Sequence, residues 1–206
     1  MKLNYRNTFE ILSAAHAILG SCKEQIIEYE ATEMEIIEPE FATRHGPKPE
    51  LHVTAHFEQC ARVLAQEWLS HRPGSAPLAI LIPDESERFL ATLKTKFKWP
   101  PLSKLNFWEP ATIYVDSFTH SKGLEFGCVI IIDPSPTRGQ EIVERWRRQL
   151  RLYVAMTRAK EQLYAVAAPD SFLADAIKNE SESFLLINHE AEYSGGVSLS
   201  HARREF

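Results

Sequence analysis

Five apolar residues in a row, Leu78-Ala79-Ile80-Leu81-Ile82, stand between Pro77 and Pro83. A run with no polar alternation has no solvent face, so it predicts an interior strand of a parallel sheet covered on both sides. Further β-branched and apolar runs predict strands at residues 112–115, 128–132 and 163–166. Residues 25–39 mix the pairs Ile26-Ile27 and Ile36-Ile37 with glutamates and predict one or two short strands.

Between these runs the apolar period lengthens to that of a helix. Ile11, Leu12, Ala15, Ile18 and Leu19 recur at helical spacing until Gly20, and Asn7 followed by Glu10 predicts a capping box at the start. A second helix is expected over residues 54–70, with Phe57, Ala61, Leu64, Ala65 and Trp68 on one face and Pro73-Gly74 beyond it. Asp84 with Glu87 predicts the cap of a third, which carries Leu90, Leu93 and Phe97. Further helices are expected over 140–156 and 171–177, and residues 47–49 are read as a loop. Strands alternating with helices imply right-handed crossovers and an α/β fold with a mainly parallel sheet and helices on both faces. Beyond residue 178 the chain is polar and contains glycine, which predicts a partly mobile tail.

Composition narrows the possibilities. The 206 residues are 44% hydrophobic, ordinary for a globular chain with a buried core. A formal net charge of -5 argues against coating nucleic acid by bulk electrostatics. Any DNA contact then needs a local cluster such as Arg145, Arg147, Arg148 and Arg151. Cys22, Cys60 and Cys128 are odd in number and lack paired metal-type spacing, which suggests reduced thiols. His52 and His56 stand four apart and could share a helical face, but without an intervening glutamate pattern or a cysteine pair they are not read as a metal site. No apolar run reaches the ~20 residues of a membrane span. The expectation is a cytoplasmic protein with no membrane partner.

Three blocks carry the chemistry. They are Asn4-Tyr5-Arg6-Asn7, then Thr119-His120-Ser121-Lys122-Gly123-Leu124-Glu125-Phe126, then Tyr153-Val154-Ala155-Met156-Thr157-Arg158-Ala159-Lys160. In this order they resemble the "NYRS", "KGLEF" and "YVAxTRAK" motifs of the UvrD/Rep/PcrA-type superfamily 1 DNA helicases. The resemblance implies the second of two RecA-like motor domains over residues 1–170, followed by a C-terminal helix and tail over 171–206. It also implies a P-loop NTPase-like sheet without its own phosphate loop, since no Gly-x-x-x-x-Gly-Lys-Ser/Thr occurs. The chain reads as half of an ATPase.

By that resemblance Arg6 and Arg158 are arginine fingers on the γ-phosphate, where charge spreads in the transition state and a fixed, permanently charged guanidinium is suited to meet it. Tyr5 would stack on adenine, Glu125 would accept from ribose hydroxyls, and Gly123 would let the backbone come close. Lys122, in the same loop, is counted by the resemblance with the DNA-binding residues Ser117, Thr119 and His120.

On the DNA side the family pattern Thr-x-His-x-x-Lys-Gly-Leu-Glu-Phe places Ser117 at the threonine position and Thr119 at the histidine position, with His120 one residue further on. Where relatives carry an acidic-basic run, Arg147-Arg148-Gln149-Leu150 stand here, read either as a solvated basic face or as a phosphate or partner contact.

The implied partners are an N-terminal Walker-motif motor domain and single-stranded or partly duplex DNA. ATP with Mg2+ would belong to the complete enzyme, with no cofactor in this domain alone. A different function class stays open: a stand-alone, non-catalytic DNA- or protein-binding module derived from such a domain. An upstream Walker motif in the full reading frame would discriminate the two.

Larger relatives also insert a helical domain, 2B, before the KGLEF motif. Here residues 98–111 hold Trp99-Pro100-Pro101 and Trp108-Glu109-Pro110, which predicts an extended connector packed by Trp99, Phe107 and Trp108 in place of such a lobe.

Overall fold

The computed structural model describes residues 4–20, 36–71, 77–106, 112–134, 142–178, 182–189 and 203–204. In chain order the elements are β1 (Asn4–Thr8), α1 (Phe9–Leu19), β2 (Ala42–Arg44), β3 (Glu50–Val53), α2 (Phe57–His71), β4 (Leu78–Ile82) and α3 (Glu87–Phe97). They continue with β5 (Ile113–Ser117), β6 (Phe126–Asp133), α4 (Ile142–Met156), β7 (Ala159–Ala167), α5 (Phe172–Lys178), β8 (Leu185–Asn188) and β9 (Arg203–Arg204).

The main sheet has the order β5-β4-β6-β7-β3-β8-β9, and β1 and β2 form a separate parallel pair. Every pairing in the main sheet is parallel except β8 with β9. The apolar run of β4 behaves as its composition demands, with all five residues buried. Ala79 and Leu81 face the core built from α1, α4 and α5, while Leu78, Ile80 and Ile82 face the core under α2 and α3. These two apolar layers make the sheet a rigid platform whose strand ends can present polar groups.

Several elements depart from the sequence expectations. The first motif is itself a strand, and the cap of α1 is Thr8, whose Oγ1 accepts from the Ile11 N–H at 3.3 Å; Asn7 is spent elsewhere. Asp84–Ser86 forms a 3₁₀ turn, and α3 starts behind Ser86 without a side-chain cap; Asp84 instead accepts from the Thr119 N–H. β3 was not expected, because its four residues sit next to Pro49 and carry a histidine in the buried layer. His52 therefore lies on a strand and His56 ahead of α2, so they share no helical face. β8 arises inside the stretch expected to be a polar tail, and it extends the sheet beyond residue 170. Of the strands expected over 25–39, residues 25–35 lie outside the described residues, and Pro39–Phe41 is a 3₁₀ turn leading into β2.

The connector after α3 covers the sheet edge. The Pro100 carbonyl accepts from the Val115 N–H on β5 at 3.0 Å, and the Leu102 N–H donates to Asp116 Oδ2 at 3.0 Å. Trp99 stacks on Phe97 with ring centroids 4.3 Å apart. Among the described residues of this stretch the only helical turn is Leu102–Lys104, whereas Phe107 and Trp108 lie outside them.

Cys60 and Cys128 are buried free thiols. Burial, aided by the charge of Glu50, pushes the Cys60 thiol up to about 12, and burial holds Cys128 well above the ordinary range. Cys22 lies outside the described residues.

Candidate nucleotide edge and a separate polar cluster

β6 and β7 pair in parallel, with Phe126 opposite Ala159. The residues just before them, Glu125 and Arg158, therefore emerge side by side at the amino ends of two central strands. Both residues lie in the loops that precede these strands.

β1 is drawn to the same edge by Asn7. Its buried side-chain amide donates to the Thr157 carbonyl at 2.8 Å and to the Ala159 carbonyl at 2.6 Å. Asn4 Oδ1 in turn accepts from the Arg6 and Asn7 N–H groups, which fixes the turn of backbone between them. Arg44 on β2 adds a second tie, donating to the Arg6 and Lys160 carbonyls. The first and third motifs are thus bonded to each other through backbone carbonyls.

Arg6 Nε lies 3.0 Å from Glu125 Oε1, and Lys160 Nζ lies 3.8 Å from Glu125 Oε2. Tyr5, the residue before Arg6 on β1, is 67% exposed. Arg158 is half-buried: Nε donates to the Val154 carbonyl at 3.0 Å, and Nη2 donates to Thr157 Oγ1 at 3.3 Å. Burial lowers its pKa, Glu125 opposes the shift and Arg6 adds to it, so the two arginines and the glutamate share one electrostatic neighbourhood. A guanidinium stays charged through such a shift. Gly123 has φ +79°, a conformation that favours glycine, and open space where a Cβ would stand.

This edge offers four cations, Arg6, Arg44, Arg158 and Lys160, with one carboxylate and an exposed tyrosine. It suits an anion with a flat base and a hydroxyl-bearing sugar. Glu125, the carboxylate of this edge, is already engaged by two cations, so the edge is poorly suited to hold a divalent metal by itself.

The residues assigned to DNA form a different group. Asp116 and Ile131 both pair with Leu81, which puts the carboxyl end of β5 level with Ile131 on β6. Ile131 lies five residues on from Phe126, roughly 17 Å along a strand. Ser117 therefore lies at the opposite end of the sheet from Glu125, and residues 118–125 run between the two ends.

Thr119, His120 and Lys122 on this segment are exposed, but Ser117 is buried. His120 Nδ1 lies 2.8 Å from Asp116 Oδ1 and 3.5 Å from Ser117 Oγ. Burial by itself would raise the Asp116 pKa. The hydrogen bonds from His120 and from the Ser117 and Leu102 N–H groups, with the Lys94 charge, outweigh it and hold the carboxyl below its usual range.

Arg148, expected either on a solvated face or in a phosphate or partner contact, is buried. It pairs with Asp133 at 3.0 Å and Glu85 at 3.1 Å and lies over the Phe172 ring at 4.7 Å. Arg151 pairs with Glu144 at 3.3 Å. Sequence reasoning gave Asn7 only a capping role and assigned none to Arg44 or Lys160. Lys160 was legible in principle, because it lies within the third motif.

Residues 112–166 match the family model of the UvrD-like helicase C-terminal domain. The fold is similar to the crystal structure of the C-terminal domain of a possible DNA helicase from Lactobacillus plantarum WCFS1, with a TM-score of 0.59 and 20% identity. That likeness covers 89% of this chain and 98% of the other. No curated protein sequence matches the chain. No helix among the described residues is long and apolar enough to cross a membrane. Through residues 112–166 the sequence is similar to the UvrD-like helicase C-terminal domain, and through most of its length the fold is similar to the C-terminal domain of a possible DNA helicase.

Proposed function

We propose that the chain is the second motor domain of an ATP-dependent DNA helicase and forms one wall of an ATP cleft. The observation that carries this reading is the meeting of Arg6, Glu125 and Arg158 on one strand-end edge beside the exposed Tyr5. In this reading Tyr5 stacks on the base, Glu125 accepts from the ribose, and Arg6 and Arg158 approach the γ-phosphate. ATP with Mg2+ supplies the phosphoryl group, and the metal ligands and phosphate loop come from a Walker-motif partner domain.

The chain's own work is to bring two guanidiniums to the charge that develops on the transferring phosphoryl oxygens. Arg158 is already oriented by Val154 and Thr157. Arg6 must exchange Glu125 for phosphate. The segment 118–125 then links the nucleotide edge to the His120 end of the sheet, where exposed Thr119, His120 and Lys122 would meet single-stranded DNA.

Hydrolysis by the purified chain, alone and joined to a Walker-motif motor domain, tests the reading. The chain alone is expected to give no Mg2+-dependent turnover. The joined protein is expected to hydrolyse ATP and to lose roughly 10³–10⁵ in rate with Arg158→Lys. Turnover by the chain alone, or an Arg158→Lys protein within a few-fold of the parent, would overturn it.

A further inference from the structure

A second constellation lies away from both sites, on the sheet face covered by α2. β3 and β8 pair in parallel with His52 opposite Ile187, so His189, two residues on, emerges on the same face as His52. Cys60, in the first turn of α2, packs down on that face. The ligand atoms of His52, Cys60 and His189 lie within 4.8 Å of one another. His52 and Cys60 are buried, and His189 is half-buried at the rim.

The hydrogen bonding has the polarity of a ligand set. Glu50 Oε2 lies 3.0 Å from His52 Nε2, and a carboxylate there holds the proton on Nε2. His52 Nδ1 is then left with its lone pair turned inward, 2.9 Å from His189 Nε2. A carboxylate on the far nitrogen of a histidine is the usual outer support of a metal-bound imidazole. The two rings are nearly parallel, 16° apart, with centroids at 5.2 Å.

We propose that His52 Nδ1, Cys60 Sγ and His189 Nε2 form a binding site for a borderline-soft divalent cation of the zinc type, clamping β8 to β3 and α2. Two imidazoles and one thiolate select against magnesium and calcium, which take oxygen ligands. The ion takes the place of the Cys60 thiol proton, which leaves to solvent, and His189 moves its ring proton from Nε2 to Nδ1. Two nitrogens on a tetrahedral ion with bonds of about 2.0 Å stand about 3.3 Å apart. The present 2.9 Å therefore requires the rings to part by only a few tenths of an ångström. The fourth position opens beside His189 and takes water. This inference does not depend on the helicase reading.

The test uses the untagged full chain, stripped with chelator and titrated with Co2+. One equivalent is expected to give tetrahedral visible bands and a thiolate charge-transfer band, and Zn2+ is expected to abolish both. Cys60→Ser should lose the thiolate band, and His189→Gln should weaken Co2+ affinity about tenfold or more. Cys22→Ser should change nothing. Zn2+ should raise the Tm of the parent but not that of Cys60→Ser. If Cys60→Ser fails to fold, the half-buried His189→Gln carries the test. Absence of the bands at one equivalent, or bands unchanged in His189→Gln, would reduce the cluster to a hydrogen-bonded histidine pair and overturn the site.

Discussion

Arg6 and Glu125 meet at 3.0 Å where β1 lies against the amino end of β6, and both side chains keep contact with solvent. An ion pair so exposed holds its partners loosely, because water screens the attraction and two long side chains must be ordered to keep it. A looser pair is one that phosphate could exchange for Glu125.

Arg6→Ala is therefore expected to separate function from folding. An exposed pair contributes only ~0–1 kcal/mol, so thermal unfolding should move by a few degrees at most. ATP turnover of the protein joined to its Walker-motif domain should fall by roughly 10³ or more if Arg6 is a finger. A large fall in Tm, measured by circular dichroism, would make Arg6 structural.

Asn7→Ala is expected to do the reverse. The substitution leaves the Thr157 and Ala159 carbonyls without their side-chain donor in a buried place, a loss of about 1–3 kcal/mol. For a chain of this size that corresponds to a Tm lower by a few to about 10 °C. Because Asn7 also sets the position of Arg6 against Arg158, turnover of the joined protein should fall as well. An unchanged Tm would show that the two carbonyls find other donors.

Much of this architecture was legible in the sequence, for identifiable reasons. Leu78–Ile82 could be bounded to the residue because a five-residue apolar run between prolines has few other solutions. β3 and β8 were not legible. His52 and Asn188 break the apolar run, and burial of His52 is made possible by Glu50 and His189, which lie beside it only in the folded sheet. At the candidate nucleotide edge the three motifs could be matched by residue type. What could not be read was that Asn7 bonds to the third motif, a contact between segments far apart in the chain. Arg148 shows the converse: its charge suggests a surface residue until Asp133 and Glu85 are placed around it.

Acid stability should depend on Asp116. Its carboxyl is held below the usual range in the folded chain, so the fold binds fewer protons there than the unfolded chain does. The stabilisation is complete above the unfolded value, about 3.9. It is lost as pH falls through the folded value. Tm followed from pH 6 downwards should fall less steeply for Asp116→Asn than for the parent below about pH 4, after a lower starting value. Parallel curves would mean that the hydrogen bonds from His120, Ser117 and Leu102 do not discriminate between the charged and neutral carboxyl.

The basic run on α4 places two neighbouring arginines in opposite surroundings. Arg147 is half-exposed and pairs with Glu144 at 4.0 Å, whereas Arg148, one residue on, is 4% exposed and pairs with Asp133 and Glu85 over the Phe172 ring. Asp133 also accepts from the Leu173 N–H, so a single cluster ties α4, β6 and the start of α5. Removing one partner of a buried pair leaves the other charge stranded, which costs about 3–5 kcal/mol. Arg148→Ala should therefore lower the urea midpoint strongly, while Arg147→Ala stays within about 0.5 kcal/mol of the parent. Both variants are also to be assayed for single-stranded DNA binding. If Arg148→Ala kept its stability and lost DNA affinity, the residue would belong to a nucleic-acid contact and the buried cluster would not describe the protein in solution.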